Sequence, residues 1–314
     1  MKNSPPHRKT IAFRRRFPRF SGGHLKVWHY FCHTKESPVF HPTIHLVPGY
    51  MLDATNPWIS NAEPIQEIWE PRKADAFFLA GMDWTAVPED CATPAINLVQ
   101  GIRHADPADP RHGFLSRRAI RICVSKEVEL AILATGKVNG PVVTIPTGMD
   151  LDELPEPSHE RDIPLLICGI KKPELAIKLS CELAGLGIAH RCQAQALPRR
   201  EFLSLLGRAA VTVFLPHARE GFYLPALEGM AMGTVVVCPD CVGNRGFCID
   251  GNNCFMPDYS PKALIASCLE ALNSDMARIK SMQKNSLLTA ELHNLEAERK
   301  SYLGILESLA FAEV

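Results

Sequence analysis

The sequence predicts an α/β protein built from two doubly wound, Rossmann-like domains. Short apolar runs alternate with helix signals along most of the chain, as expected for parallel strands connected by helices. Residues 151–162 are rich in acidic residues and proline and have the composition of a linker. The length of 314 residues suits two domains of roughly 150 residues on either side of it.

The first domain is predicted over residues 1–150. A helix should begin after Ser21-Gly22-Gly23-His24 and run toward His33, with Leu25 and Trp28 on one face. Ser125 is placed to cap a later helix through its side chain. The buried strands of this domain are predicted at residues 10–13, 43–47, 76–79, 95–99, 120–124 and 142–145.

The second domain is predicted over residues 163–275 and is followed by a largely helical tail, residues 276–314. Its strands are predicted at residues 164–169, 189–195, 211–215, 234–238 and 254–256. Its helices are predicted at residues 173–185, 199–209 and 261–273, with a further one that begins near Leu224.

Composition limits the classes of function. Lys and Arg total 34, equal to Asp and Glu, so no bulk attraction to nucleic acid is expected. Eleven cysteines and the absence of a secretory signal or a long apolar run indicate a cytoplasmic protein. The basic segment Arg14–Arg16 is best explained as a solvated tail. It could instead contact anionic lipid at the inner face of a membrane, or a phosphorylated acceptor.

Residues 211–233 carry the strongest functional signal. An apolar strand ends before Pro216, and a helix follows from Leu224, with Pro225 suited to its first turn. Glu220 lies in the loop and Glu228 inside the helix, so two carboxylates flank one helix N-terminus. Such an N-terminus binds phosphate, and carboxylates accept hydrogen bonds from hydroxyls, which together suit a nucleotide sugar. Alternatively, both residues only complement the helix dipole, for roughly 0.3–1 kcal/mol each.

The segment Glu220–Glu228, followed by Met230-Ala-Met-Gly233, resembles the E-x7-E signature of retaining GT-B glycosyltransferases of the family 4 type. The resemblance implies two Rossmann-like domains facing a cleft. The first would hold the acceptor and the second the nucleotide-diphosphate sugar, and the carboxy-terminal tail would return to the first domain. It also implies transfer with retention of configuration and without a metal or other cofactor.

By this resemblance Glu228 accepts hydrogen bonds from the donor ribose, and Glu220 acts nearer the sugar. The cations Lys171 and Lys172 would stabilise the leaving diphosphate, although the usual Gly-Arg is missing and the loop is shorter. Other departures from the family pattern are Tyr223, His217 and the pair Asn244-Arg245. The remaining residues expected to bind the donor in this loop are Gly221, Phe222, Tyr223 and Leu224.

Two features of the first domain are candidates for the same chemistry. Gly22-Gly23 before a helix suggests close approach to a ligand, here the donor phosphates, but a plain tight turn explains it equally. His104 and Arg103 follow the strand at residues 95–99 and could contact the sugar or acceptor, His104 as a catalytic group. Alternatively, Arg103 pairs with Asp106 or Asp109, and His104 is simply solvated or hydrogen-bonded.

Two metal-site alternatives are weaker. Cys238, Cys241, Cys248 and Cys254 have the outline of a zinc site, and Asp150-Leu-Asp152 matches the D-x-D of metal-dependent GT-A transferases. The Glu220–Glu228 segment favours a metal-independent enzyme that uses a nucleotide sugar and a glycan, lipid-linked or small-molecule acceptor. A catalytically silent binding protein and a nucleotide-sugar epimerase remain alternatives, and the oligomeric state is open.

Overall fold

The computed structural model describes residues 8–156, 158 and 160–311. Contacts divide the chain into two compact units, each with its own parallel sheet. Unit 1 comprises Met1–Thr147 and Glu296–Val314, and unit 2 comprises Gly148–Leu295.

The sheet of unit 1 is parallel throughout and has six strands. These are β1 (Lys9–Arg15), β2 (Phe40–Leu46), β3 (Ala76–Ala80), β4 (Ala95–Val99), β5 (Ile120–Cys123) and β6 (Val142–Thr144). Their spatial order is β2-β1-β3-β4-β5-β6. Strand β2 therefore lies on one side of β1, and β3 to β6 follow one another on the other side. The order therefore reverses between β1 and β3, where open α/β sheets bind ligands.

Three helices of unit 1 begin with side-chain caps, namely α1 (Gly22–Lys35), α2 (Pro57–Ser60) and α3 (Lys126–Leu133). Unit 1 also contains α9 (Leu295–Phe311), which follows unit 2 in the chain. Ser125 Oγ accepts a hydrogen bond from the Val128 amide at 3.3 Å, which confirms the predicted cap.

Helix α1 is buried on a different face from the one predicted. Leu25 and Trp28 are only half-buried, whereas Lys26 is buried, because α9 packs on that side. Lys26 Nζ lies 2.6 Å from Glu298 Oε2, and the Glu298 side chain is fully buried. The hydroxyls of Thr34 and Tyr302 are hydrogen-bonded at 3.0 Å. The last helix is thus an integral part of unit 1.

A buried arginine, Arg121, holds several loops of unit 1 in place. It is fully buried on β5, and burial lowers the pKa of its guanidinium to about 10. Its charge is satisfied by carbonyl oxygens, those of Ala119, Asn139, Phe114, Leu115 and Arg117. Arg121 therefore fixes the loops at one end of the sheet.

The sheet of unit 2 has four parallel strands, β7 (Ile163–Cys168), β8 (Arg191–Gln193), β9 (Ala209–Phe214) and β10 (Val235–Val237), in the order β10-β9-β7-β8. Its helices are α4 (Pro173–Gly185), α5 (Arg199–Arg208), α6 (Leu224–Ala231), α7 (Pro261–Asn273) and α8 (Met276–Leu292). The predicted strand at residues 254–256 is reduced to a bridge between Phe255 and Val237. Pro257 follows directly and has no amide hydrogen to extend the pairing.

The unit boundaries differ from those drawn on the sequence. Residues 151–162 count with unit 2, since Leu151 and Leu154 pack on its core. The tail is divided, with α8 in unit 2 and α9 in unit 1. Pro157 and His159, inside the predicted linker, lie outside the described residues.

No helix in the described ranges has both the length and the hydrophobicity needed to cross a bilayer. All eleven cysteines lie in these ranges and are free thiols.

Candidate functional site

The loop between β9 and α6 has the predicted strand-loop-helix form. Helix α6 begins at Leu224, and Pro225 occupies its first turn, where no amide hydrogen is needed. A β-carbon at Gly229 would lie 2.8 Å from the Phe214 ring, so glycine lets α6 pack directly on the end of β9. Gly233, with φ +69°, ends the helix in a conformation that favours glycine.

The Glu220 loop is held by the loop after β10. The Tyr223 amide donates to Gly243 O at 2.9 Å, and the Val242 amide donates to Ala218 O at 3.0 Å. A β-carbon at Gly243 would lie 2.8 Å from the backbone nitrogens of Phe222 and Tyr223. The backbone around Glu220 is therefore fixed by a second, closely fitted loop.

Asn244 explains one departure from the family pattern. Its amide group donates to Pro239 O at 3.0 Å and to Cys238 Sγ at 3.3 Å, and its Oδ1 accepts from the Cys241 amide at 3.0 Å. Arg245 pairs on the surface with Asp240, with Nη2 and Oδ2 2.6 Å apart. Both residues hold the supporting loop together.

Glu228 is buried, with 3 % of its surface exposed, and forms an ion pair with Arg199. Burial, together with the nearby Glu228 carboxylate, raises the pKa of the Cys168 thiol to about 12, which places Glu228 near the carboxyl end of β7. Sequence reasoning missed Arg199. The available signal was a cation at the first position of a helix, where the dipole disfavours positive charge.

The two lysines after β7 have different surroundings. Lys171 Nζ lies 3.3 Å from Glu220 Oε1, so this lysine is engaged by the loop carboxylate. Lys172 immediately precedes α4 and is half-buried, and no described residue pairs with its ammonium group. The turn between them and β7 is tight, because a β-carbon at Gly169 would lie 2.1 Å from Ala176 Cβ. Of these two lysines, Lys172 is thus the one whose ammonium group is available for a ligand.

The aromatic residues of the loop pack inside unit 2. Tyr223 is 2 % exposed and lies edge-on to Phe214, and burial raises the pKa of its hydroxyl well above the usual value. The Phe222 ring centroid lies 5.2 Å from that of Phe247 and 5.6 Å from that of His293. Among the other residues expected to bind the donor, Gly221 is buried and Leu224 is half-buried.

Neither alternative metal site forms in the described part of the chain, where no group of three or more His, Cys, Asp or Glu residues could hold an ion. Cys238 lies in the apolar core and accepts from Asn244. Asp150 Oδ1 accepts from the Asp152 amide at 3.1 Å, so that motif forms a local turn.

In unit 1, Gly22-Gly23 opens α1 as predicted, with Ser21 Oγ accepting from the His24 amide at 3.3 Å. Gln100 Nε2 donates to Gly23 O at 3.0 Å, and a β-carbon at Gly23 would lie 2.8 Å from Gln100 Oε1. The close approach that Gly23 allows in this structure is therefore to the protein's own Gln100.

His104 is buried in unit 1, so it is not simply solvated. The residue is 4 % exposed. Burial is the main cause that lowers the pKa of its ring to about 4, and the positive charge of Arg111 is the second. Arg103 is exposed. Asp109, offered as its partner, instead forms an ion pair with Arg111, whose Nε donates to Asp109 Oδ1 at 2.7 Å.

Arg15 of the basic segment Arg14–Arg16 forms several contacts within unit 1. Its Nη1 lies 3.0 Å from Asp83 Oδ2 and 3.1 Å from Ala80 O, and its Nε donates to His24 Nδ1 at 2.9 Å. Arg15 therefore joins the ends of β1 and β3, a pairing with Asp83 that the sequence did not reveal. Arg16 is exposed.

Most of unit 2 is similar to a known protein family. Residues 151–287 match the family model of glycosyl transferases group 1. This span includes Lys171, Lys172, Arg199, Glu220 and Glu228. The candidate site of unit 2 thus lies within the residues that match this family model.

Individual relatives give a narrower comparison. The chain is 30 % identical over 172 residues to the D-inositol 3-phosphate glycosyltransferase of Corynebacterium diphtheriae. The match covers 54 % of this chain and 39 % of that protein. The chain thus spans less than half the length of this curated relative.

Solved structures share the fold across nearly the whole chain. Anabaena HepE in complex with UDP and glucose has a TM-score of 0.76 at 13 % identity, covering 96 % of this chain and 100 % of that one. Sucrose-phosphate synthase of Thermosynechococcus elongatus has a TM-score of 0.73 at 14 % identity, covering 98 % and 100 %. These similarities and the two parallel sheets confirm the predicted α/β fold of the GT-B type.

Proposed function

We propose that this chain is a retaining, metal-independent glycosyltransferase that takes its sugar from a nucleotide-diphosphate donor. One observation carries the proposal. The pairs Lys171–Glu220 and Arg199–Glu228 lie at the carboxyl edge of the sheet, within the residues that match the glycosyl transferases group 1 family model. Ligands of open α/β sheets bind at this edge.

Glu228 is the proposed ribose ligand. A buried carboxylate accepts strong hydrogen bonds from hydroxyls, and the ion pair with Arg199 orients it. Arg199 is 25 % exposed at its side chain, whereas Glu228 is 4 % exposed, so the guanidinium is the more accessible partner. The ribose would therefore contact the Arg199–Glu228 ion pair as a whole.

Glu220 and Lys172 are assigned to the transfer step. Glu220 is 20 % exposed at its side chain and is oriented by Lys171, which suits a carboxylate that accepts hydrogen bonds from the donor sugar. Lys172 supplies an unpaired ammonium for the negative charge that develops on the leaving diphosphate. A fixed cation at this point fulfils the role that a metal has in other transferases.

Similar proteins suggest which substrates to test first. HepE, which shares the fold, has been solved with UDP and glucose, so UDP-sugars are the first donors. The curated relative is named for D-inositol 3-phosphate, so phosphorylated polyols come first among the small-molecule, glycan and lipid-linked acceptors.

The deciding experiment incubates the chain with UDP-, GDP-, dTDP- and ADP-sugars, with and without inositol 3-phosphate. Donors are first screened by thermal shift, since a ligand at a hundred times its dissociation constant stabilises by about 2.7 kcal/mol. Transfer is detected by mass spectrometry, and the anomeric configuration of the product by proton NMR. Donor binding without transfer or hydrolysis would indicate a silent binding protein, and epimerised free sugar with released nucleotide would indicate an epimerase.

The Arg199–Glu228 ion pair leads to a prediction about the affinity for UDP. Glu228→Gln should weaken UDP binding by about 1.5–3 kcal/mol, because it removes a charged acceptor from the ribose. Arg199→Gln should weaken it by a similar amount, and the double variant by no more than either single one, since the two side chains act together. Isothermal titration calorimetry with UDP measures all three.

Arg208→Gln is the matched control, because Arg208 ends the same helix and pairs with Asp162 on the surface. It should bind UDP as the wild type does. Strictly additive losses in the double variant would show that Arg199 and Glu228 contact the nucleotide independently, contrary to the prediction.

A further inference from the structure

His24 of unit 1 has a hydrogen-bonding pattern that determines where its proton lies. Its Nδ1 accepts a hydrogen bond from Arg15 Nε at 2.9 Å. A guanidinium nitrogen can only donate, so Nδ1 carries no hydrogen and the proton of the neutral ring is on Nε2.

The neutral form is the stable one at this position. Burial, the charge of Arg15 and the charge of Arg19 lower the pKa of His24 to about 4. Since this pKa lies below the physiological range, the ring stays neutral there and presents an Nε2–H donor.

The ring is also fixed in direction. Arg15 is itself held by Asp83 and by the carbonyl of Ala80. The His24 ring packs on Phe17, with the ring centroids 4.8 Å apart. A hydrogen-bond donor held in this way binds a ligand with little loss of conformational freedom.

The Nε2 side of the ring is open to a ligand. Within the described ranges no residue bonds to His24 Nε2, and this atom is not among the buried nitrogens that lack a partner. The ring stands where the sheet order reverses, because Arg15 ends β1 and Asp83 follows β3. Ligands of doubly wound sheets bind at such a reversal.

We propose that His24 binds the glycosyl acceptor, donating its Nε2 hydrogen to a phosphate oxygen on that acceptor. The inference rests on the proposed function and adds an acceptor class to it. The local charge selects the ligand, since Arg15 is paired with Asp83 but the positive charge of Arg19, which also disfavours a protonated His24, attracts an anion. A phosphate monoester combines that negative charge with acceptor oxygens.

NMR of the full chain labelled with ¹⁵N-histidine tests the proposal without requiring turnover. The His24 signals, assigned by their loss in His24→Gln, should show an unprotonated Nδ1 and a protonated Nε2 from pH 5.5 to 8. Inorganic phosphate and inositol 3-phosphate should each shift the Nε2 signal in a saturable way, and glucose should not. A proton on Nδ1, or no response to either phosphate, would overturn the proposal.

Kinetics provide the second test. His24→Gln should raise the KM for a phosphorylated acceptor about 10- to 100-fold, the loss expected for one hydrogen bond to a charged group. Hydrolysis of the donor by water should be unchanged. His41→Gln, at a half-buried histidine of β2 in the same unit, should leave both values unaltered.

The two proposals fail in different ways. Absence of both donor hydrolysis and transfer in the wild type would refute the proposed function, and the NMR titration would still decide whether His24 binds phosphate. Transfer with an unchanged acceptor KM in His24→Gln would refute only the role of His24.

Discussion

Glu220→Gln is expected to lower kcat for glycosyl transfer roughly 100- to 1000-fold while changing UDP affinity less than threefold. The substitution preserves shape but removes the charge that Lys171 orients at 3.3 Å and that the donor sugar would meet. Steady-state kinetics with the best donor, together with calorimetric titration of UDP, measure the two quantities separately.

Glu182→Gln serves as the control for charge, since Glu182 is exposed on α4. It should match the wild type in both measurements. If Glu220→Gln weakened UDP binding and left kcat intact, the assignment of Glu220 to the sugar and of Glu228 to the ribose would have to be exchanged.

Lys172→Ala is expected to lower kcat by roughly 100- to 1000-fold and to raise the KM for the donor much less. Charge on the leaving diphosphate is greatest in the transition state, so an ammonium that stabilises it acts mainly on turnover. Donor hydrolysis and transfer, each measured with and without EDTA, check the prediction, and the chelator should have no effect on the wild type.

Two other lysines make this test specific. Lys178→Ala removes an exposed cation from α4 and should be neutral. Lys171→Ala should reduce turnover through the position of Glu220, so restoring the charge with Lys171→Arg should recover part of it. Loss of activity in EDTA and recovery with manganese would contradict the assignment of Lys172.

Local sequence signals predicted most of the secondary structure. Helices α4 and α7 cover the same residues as predicted, because a proline marks the first turn of each and turn residues follow each end. The strand-loop-helix form around Glu220 was predicted for similar reasons. Hydrophobic periodicity and helix-capping residues depend only on residues that are close in sequence, so they can be recognised in a single sequence.

The partners of the site residues could not be predicted in this way. Arg199 and Glu228 are 29 positions apart, and nothing local relates them. Lys171 and Lys172 are adjacent and chemically alike, yet only the fold determines which one Glu220 engages. The buried face of α1 was predicted wrongly because Glu298, which contacts Lys26, lies 272 positions away.

The division of the chain has a consequence for the order in which it folds on the ribosome. Unit 2 is one continuous segment, whereas unit 1 needs α9, which follows unit 2 in the chain and is translated after it. Domains generally fold as units during synthesis, so the second sheet can be complete while the first still lacks its final helix. Until then Lys26 has no Glu298, and Tyr30 lacks the Tyr302 ring that packs against it with centroids 4.9 Å apart. The strands of unit 1 therefore precede unit 2 in the chain but reach their final packing after it, and the Tyr30 ring stays without its Tyr302 partner until then.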